Sequence, residues 1–154
     1  MNKITSIILI LFLSLLSSPS WSETLTMDDL VERDGLYYKK FSDVPFTGDI
    51  TGQSQGSFKD GKAIGEWVGY WSNGQLEYKG KYKDGWEEGE WVAYYDNGQL
   101  KFKGEYKDGR HEGFWVNYYD NGQLFDKGEW KNGEMVGEWV FYTEDGTLSS
   151  KKTY

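Results

Sequence analysis

Four tryptophans, Trp67, Trp91, Trp115 and Trp139, recur every 24 residues, and each stands two positions after a glycine, Gly65, Gly89, Gly113 or Gly137. A period this constant restricts the chain to a repeat architecture, in which each unit buries its apolar face against the next. Turn dipeptides keep the same period. Asn73-Gly74, Asn97-Gly98, Asn121-Gly122 and the variant Asp145-Gly146 form one series; Asp60-Gly61, Asp84-Gly85, Asp108-Gly109 and Asn132-Gly133 form the other. Both carry residues that tolerate positive φ, as tight hairpins require. Two turns per period leave room for two short strands, so the expected fold is all-β: an elongated single-layer antiparallel sheet of stacked β-hairpin repeats.

A two-residue turn at Asn73-Gly74 joins strands over 66–71 and 75–83. It pairs Trp71 with Leu76, Gly69 with Tyr78, Trp67 with Gly80 and Glu66 with Lys81. Alternation then puts Trp67, Trp71, Leu76, Tyr78, Gly80 and Tyr82 on one face, and Glu66, Val68, Tyr70, Glu77, Lys79 and Lys81 on the other. Gly80, Gly104 and Gly128 fall opposite Trp67, Trp91 and Trp115, where the missing Cβ leaves room for an indole. The columns Leu76/Leu100/Leu124/Leu148 and Phe58/Tyr82/Tyr106/Trp130 complete a face that core packing explains without a ligand.

Composition removes other classes. With 8 Trp, 12 Tyr and 8 Phe the chain is too aromatic for disorder, and its 20 Gly follow no three-residue period. The absence of Cys excludes disulfides, thiolate metal sites and a Cys nucleophile. A formal charge of −8 makes nucleic acid an unsuitable partner.

Residues 1–22 read as a signal peptide: Lys3, an apolar stretch over 4–16 too short to cross a bilayer of about 30 Å, then small residues around Pro19. Cleavage after Ser22 or Ser20 removes Lys3 and no acid, taking the charge from −8 to −9. The mature chain is then expected in the periplasm or outside the cell. Residues 23–55 form a cap and irregular first repeat. They carry a short helix expected over 27–32 with Thr26 as N-cap, and strands at Leu36, Tyr37 and Tyr38 and over 46–50. Residues 56–154 hold the regular repeats. In the last one Trp139 meets Lys152 instead of glycine, and the strand over 148–154 is an edge protected by Lys151 and Lys152.

The unit Tyr94-Tyr95-Asp96-Asn97-Gly98-Gln99-Leu100 followed by Gly104-Glu105-Tyr106-Lys107-Asp108-Gly109-Arg110-His111-Glu112-Gly113 resembles the MORN repeat, in its bacterial variant with an Asn-Gly-Gln-Leu turn. Chains of this variant are commonly labelled YwqK-type antitoxins, a label an exported chain fits only if its target is periplasmic or arrives from outside. The resemblance covers 56–148 closely and 35–55 loosely, and implies a sheet of MORN-type hairpins used for protein contacts, lipid contacts or spacing.

Catalysis is the weaker expectation. Glu87 with Glu88, or Glu90 with Glu105, could supply a glycosidase carboxylate pair, but an open sheet offers no closed pocket. Asp60, Asp84 and Asp108 are expected to cap turns, and His111 to be an exposed turn residue, so no cofactor or metal is implied. The lysine columns Lys59/Lys83/Lys107/Lys131 and Lys79/Lys103/Lys127/Lys151 are read as neutralising neighbouring Glu66, Glu77, Glu90 and Asp84. Trp86 has no aromatic counterpart at Lys62, Arg110 or Glu134, and Tyr70, Tyr94, Tyr118 and Tyr142 form a column away from the tryptophans. Trp86, Tyr70, Tyr94 and Tyr118 are therefore the candidate contact residues of a non-enzymatic module for a protein or peptide, with an envelope glycan or an anionic membrane surface as the alternatives.

Overall fold

The computed structural model describes residues 24–154, and the expected signal segment lies outside them. Two short strands, β1 (Leu30–Arg33) and β2 (Leu36–Lys39), form a small sheet of their own. The other ten make one antiparallel sheet in chain order: β3 (Gly48–Ile50), β4 (Ser54–Lys59), β5 (Lys62–Tyr70), β6 (Leu76–Lys83), β7 (Trp86–Tyr94), β8 (Leu100–Lys107), β9 (Arg110–Tyr118), β10 (Leu124–Lys131), β11 (Glu134–Tyr142) and β12 (Leu148–Thr153). The repeat is thus an elongated stack of hairpins, as its period requires.

The two turn series do different work. In the Asp-Gly series both residues are left-handed, Asp60 at φ 50° and Gly61 at 79°, and Lys59 pairs with Lys62 across them. That is the two-residue hairpin whose twist matches its strands. In the Asn-Gly series the glycine alone is left-handed, with Gly74 at φ 83°. The Gly74 N–H donates to the Trp71 carbonyl and the Trp71 N–H to the Gln75 carbonyl, both at 2.8 Å, giving a three-residue loop with a bulge. This corrects the expected two-residue turn. Tyr70, not Trp71, pairs with Leu76, and only beyond that shift does the expected register of Gly69–Tyr78, Trp67–Gly80 and Glu66–Lys81 hold.

A second irregularity lies at the repeated glycine. Pairing between β6 and β7 jumps from Lys79–Val92 to Lys81–Glu88, so residues 89–91 oppose Gly80 alone, with Gly89 at φ 73°. Strands therefore run through this glycine and begin four residues earlier than expected.

The indoles fill this break. A Cβ on Gly56, Gly80, Gly104 or Gly128 would fall inside the ring of Trp67, Trp91, Trp115 or Trp139 respectively. The covering indole comes from the strand after the glycine. Gly104 is paired in register with Trp91, yet Trp115 lies over it, which corrects the expected partner. The indole N–H groups of Trp91, Trp115 and Trp139 donate to the carbonyls of Lys81, Glu105 and Glu129 at 3.1, 3.0 and 3.1 Å, beside the bulge. Edge-to-face contacts then run along the sheet: Phe58–Trp67 at 5.1 Å, Trp67–Tyr82 at 5.4 Å, Tyr82–Trp91 and Tyr106–Trp115 at 5.1 Å, and Trp130–Trp139 at 5.4 Å. Each adds about 0.5–1.5 kcal/mol beyond area burial, which lets a single sheet dispense with a second layer.

The first rung is closed by the cap, where Leu25, Leu30, Ile50, Phe58, Ala63 and Trp67 form a buried cluster. The helix expected over 27–32 is a single 3-10 turn, Met27–Asp29, because Leu30 turns extended to enter β1. Its start is held by the Thr26 N–H donating to Asp29 Oδ2 at 2.8 Å. At the other end Trp139 pairs with Lys152, as read, and is fully buried.

Candidate functional site

The two faces carry different chemistry. On the face away from the tryptophans, Lys81 pairs with Glu66 and Lys103 with Glu90 at 2.9 Å, and Lys151 with Glu138 at 3.1 Å. These pairs are exposed and therefore weak, but they offset part of the charge on that face. The column Glu66, Glu90, Glu138 is interrupted by Phe114, which is 59 % exposed. That aromatic was overlooked, although it breaks the 24-residue register as plainly as Trp86 does.

The Asn-Gly end is stitched from repeat to repeat. Asn73, Asn97 and Asn121 donate from Nδ2 to the carbonyls of Asp96, Asp120 and Glu144 at 2.6, 2.7 and 2.9 Å. Their Oδ1 atoms accept from the N–H groups of Gln75, Gln99 and Gln123, each at 2.9 Å. Trp71 Nε1, Tyr95 OH and Tyr119 OH donate to the carbonyls of Tyr94, Tyr118 and Tyr142 at 3.1, 2.8 and 3.0 Å. Asp145 takes the place of Asn in the fourth of these turns and, as a carboxylate, has no donor. It keeps only the acceptor, for the Thr147 N–H at 2.9 Å, and its bonds from Thr143 and Thr147 hold its pKa down to about 2.

At the other end the aspartates serve through left-handed backbone, not through the side-chain caps expected of them. The caps come from neighbours: Thr47 Oγ1 accepts from the Asp60 N–H at 2.8 Å, Glu88 Oε2 from Asp108 at 3.1 Å and Glu112 Oε2 from Asn132 at 2.8 Å. Glu88 is thereby turned away from Glu87, which accepts from Tyr82 OH at 3.5 Å. Glu90 and Glu105 are register partners on an exposed face, with Glu90 held by Lys103. Neither pair converges on a cleft as a glycosidase would need.

His111 is not an exposed turn residue. It sits in β9 with its ring 4.0 Å from Trp115 and 4.7 Å from Trp130, and its Nε2 is 3.1 Å from Tyr106 OH. Burial pushes its pKa down, opposed by Glu87. One repeat replaces an aromatic and a small residue by a polar pair: Asn117 Nδ2 donates at 2.6 Å to Asp126, which is 6 % exposed and whose carboxyl burial pushes up. Tyr78–Ala93, Phe102–Asn117 and Asp126–Phe141 are register partners, so a lost ring on one strand is replaced from the next.

Of the candidate contact residues, Trp86 is 61 % exposed and its indole lies over Gly109 of the following turn. Tyr70, Tyr94 and Tyr118 are half-buried. Trp86 opens β7 and Tyr94 closes it, roughly 25 Å away at the usual strand rise, so the structure does not gather them into one patch. They border two adjoining openings that share Tyr78, Tyr82 and Glu87. A cleft of about 570 Å³ between the cap and the first hairpins is lined by Trp86, Tyr82, Tyr37 and Glu87 among others. A second, of about 380 Å³, is bordered by Tyr94, Trp91, Phe102 and Lys101 among others, and Tyr70 and Tyr118 border neither. Among the described residues no group of three or more His, Asp or Glu is placed to hold a metal ion, and no helix is long and apolar enough to cross a membrane.

A family model described as MORN repeat variant matches residues 64–84, 87–108, 112–132 and 135–154. Those boundaries reproduce the observed hairpins. No curated protein matches the chain. A solved structure described as "Crystal structure of GtfA/B complex bound to UDP and GlcNAc" aligns over 74 % of this chain at 14 % identity and a TM-score of 0.25. The alignment spans 25 % of that structure's chain.

Proposed function

Because the chain belongs to the MORN repeat variant family, we propose that it is a protein- or peptide-binding scaffold working in the periplasm or outside the cell after loss of residues 1–22. The family membership makes it a non-enzymatic repeat module. The observation that supports a binding use is the opening of the aromatic side into two adjoining clefts along β7, with Trp86 exposed at the rim of the larger. Trp and Tyr give much contact area for little entropy, which suits them to anchor a partner. Tyr94 takes the corresponding place at the second cleft, while Tyr70 and Tyr118 extend the same column. The opposite face, where Lys81, Lys103 and Lys151 are paired to glutamates, has less to offer an anionic membrane surface.

The test is capture from an envelope extract by the mature chain, run beside sedimentation with purified peptidoglycan and with anionic liposomes. Retention of a defined protein or peptide, with no co-sedimentation, is the expected result. Binding to peptidoglycan or liposomes alone would replace this reading by the glycan or lipid one.

A further inference from the structure

The cleft between the cap and the first hairpins combines aromatic rings with an excess of carboxylates. Aromatic rings of Tyr37, Tyr82 and Trp86 border it together with the carboxylates of Glu32, Asp84 and Glu87. The Tyr82 hydroxyl donates to Glu87 Oε1 at 3.5 Å. On the opposite face Glu66, Glu90 and Glu138 are each neutralised by a lysine, whereas among the described residues Glu32, Asp84 and Glu87 make no ion pair. Lys62 is the one basic residue that lines the cleft. An opening of about 570 Å³ is of the size that takes a side chain or a small ligand.

Rings beside unpaired carboxylates attract a cation twice, through the ring quadrupole and through charge-assisted hydrogen bonds. The chain's charge of −8 draws cations from a distance as well. A neutral sugar would use the rings but gain nothing from the excess of negative charge. We infer that this cleft is a subsite for an arginine side chain of a basic peptide segment. Arginine fits better than lysine because its planar guanidinium stacks on rings and spans two carboxylates with its fork of donors. The inference rests on the reading of the chain as a peptide-binding module and names the chemistry that one part of it selects.

Calorimetric titration of the purified protein with a blocked hexapeptide carrying two arginines tests this. The controls are the same peptide with citrulline, a neutral isostere of arginine, and an N-acetylglucosamine tetramer. Two triple variants of equal charge change separate the cleft from general attraction: E32Q/D84N/E87Q in the cleft and E66Q/E90Q/E138Q on the opposite face. Asn at position 84 keeps tolerance of the left-handed turn conformation, and matched thermal melts check folding. The arginine peptide is expected to bind about tenfold or more tighter than the citrulline peptide, to lose about tenfold in the cleft variant and to change less than about twofold in the other. Equal binding of the citrulline peptide, equal loss in both variants, or binding of the tetramer in place of the arginine peptide would overturn it. A natural protein partner captured equally well by E32Q/D84N/E87Q would also overturn the arginine subsite while leaving the peptide-binding reading intact.

Discussion

The indole of Trp115 lies over Gly104 on the preceding strand so closely that no Cβ fits between them. The glycine is thus the floor on which the following repeat's tryptophan rests, and its own register partner, Trp91, covers Gly80 one hairpin earlier. Each repeat is bound to its neighbour through this offset.

Gly104→Val is therefore expected to destabilise the chain by about 1–3 kcal/mol, as overpacking does. Lys103→Ala, which removes an exposed partner of Glu90, is expected to shift the urea midpoint less. Near-ultraviolet circular dichroism of Gly104→Val should also lose part of its indole signal. Equal midpoints for the two variants would contradict the packing.

Asn97→Asp keeps the acceptor for the Gln99 N–H and loses the donor to the Asp120 carbonyl. A cost of about 0.5–1.5 kcal/mol is expected from that one hydrogen bond. The reciprocal change Asp145→Asn removes the carboxylate that Thr143 and Thr147 hydrogen-bond, so its urea midpoint should fall below the parent's at pH 7, with the difference shrinking as pH falls from 3.8 towards about 2.

Burial raises the Asp126 carboxyl above its ordinary 3.8. A group raised in the fold contributes stability that is complete below 3.8 and is lost as pH climbs through the folded value. Asp126→Asn keeps an oxygen for Asn117, so its midpoint should exceed that of the parent at pH 7, with the gain shrinking towards pH 3.5. Urea melts across that range measure it.

His111 has the opposite sign. Its pKa is lowered from 6.5 by burial, so its contribution is present above 6.5 and is lost as pH falls from there through the folded value. The parent's margin over His111→Met, the residue found at the equivalent position 135, should narrow between pH 7.5 and pH 5. A constant margin would place the imidazole in water.

The period of 24 residues made the hairpins, the chain-order sheet and the register over Trp67–Gly80 legible from sequence, because alternation and turn chemistry act locally. The turn series looked alike on paper. Asn and Asp both tolerate positive φ, and only the inter-repeat bond of Asn73 to Asp96 explains why one series keeps Asn until its last member. The covering tryptophan was misassigned for a related reason: the bulge at residues 89–91 is invisible to a period-two count, and it decides which neighbour the indole crosses. His111 read as a turn residue because Gly109 and Gly113 flank it, although only Gly109 belongs to the turn. The Asn117–Asp126 pair breaks the aromatic pattern and could have been found as a polar substitution in two adjoining columns.

Trp86 and Phe114 are almost equally exposed, at 61 % and 59 %, and one borders the large cleft while the other alternates with Trp115 onto the opposite face. Titrating a captured partner into the parent, Trp86→Ala and Phe114→Ala compares the two surfaces at matched aromatic loss. Binding by the aromatic clefts predicts that Trp86→Ala weakens affinity about tenfold or more with an unchanged melting temperature, and that Phe114→Ala stays within about twofold. Loss of affinity in Phe114→Ala with full affinity in Trp86→Ala would put the partner on the other face and contradict the account.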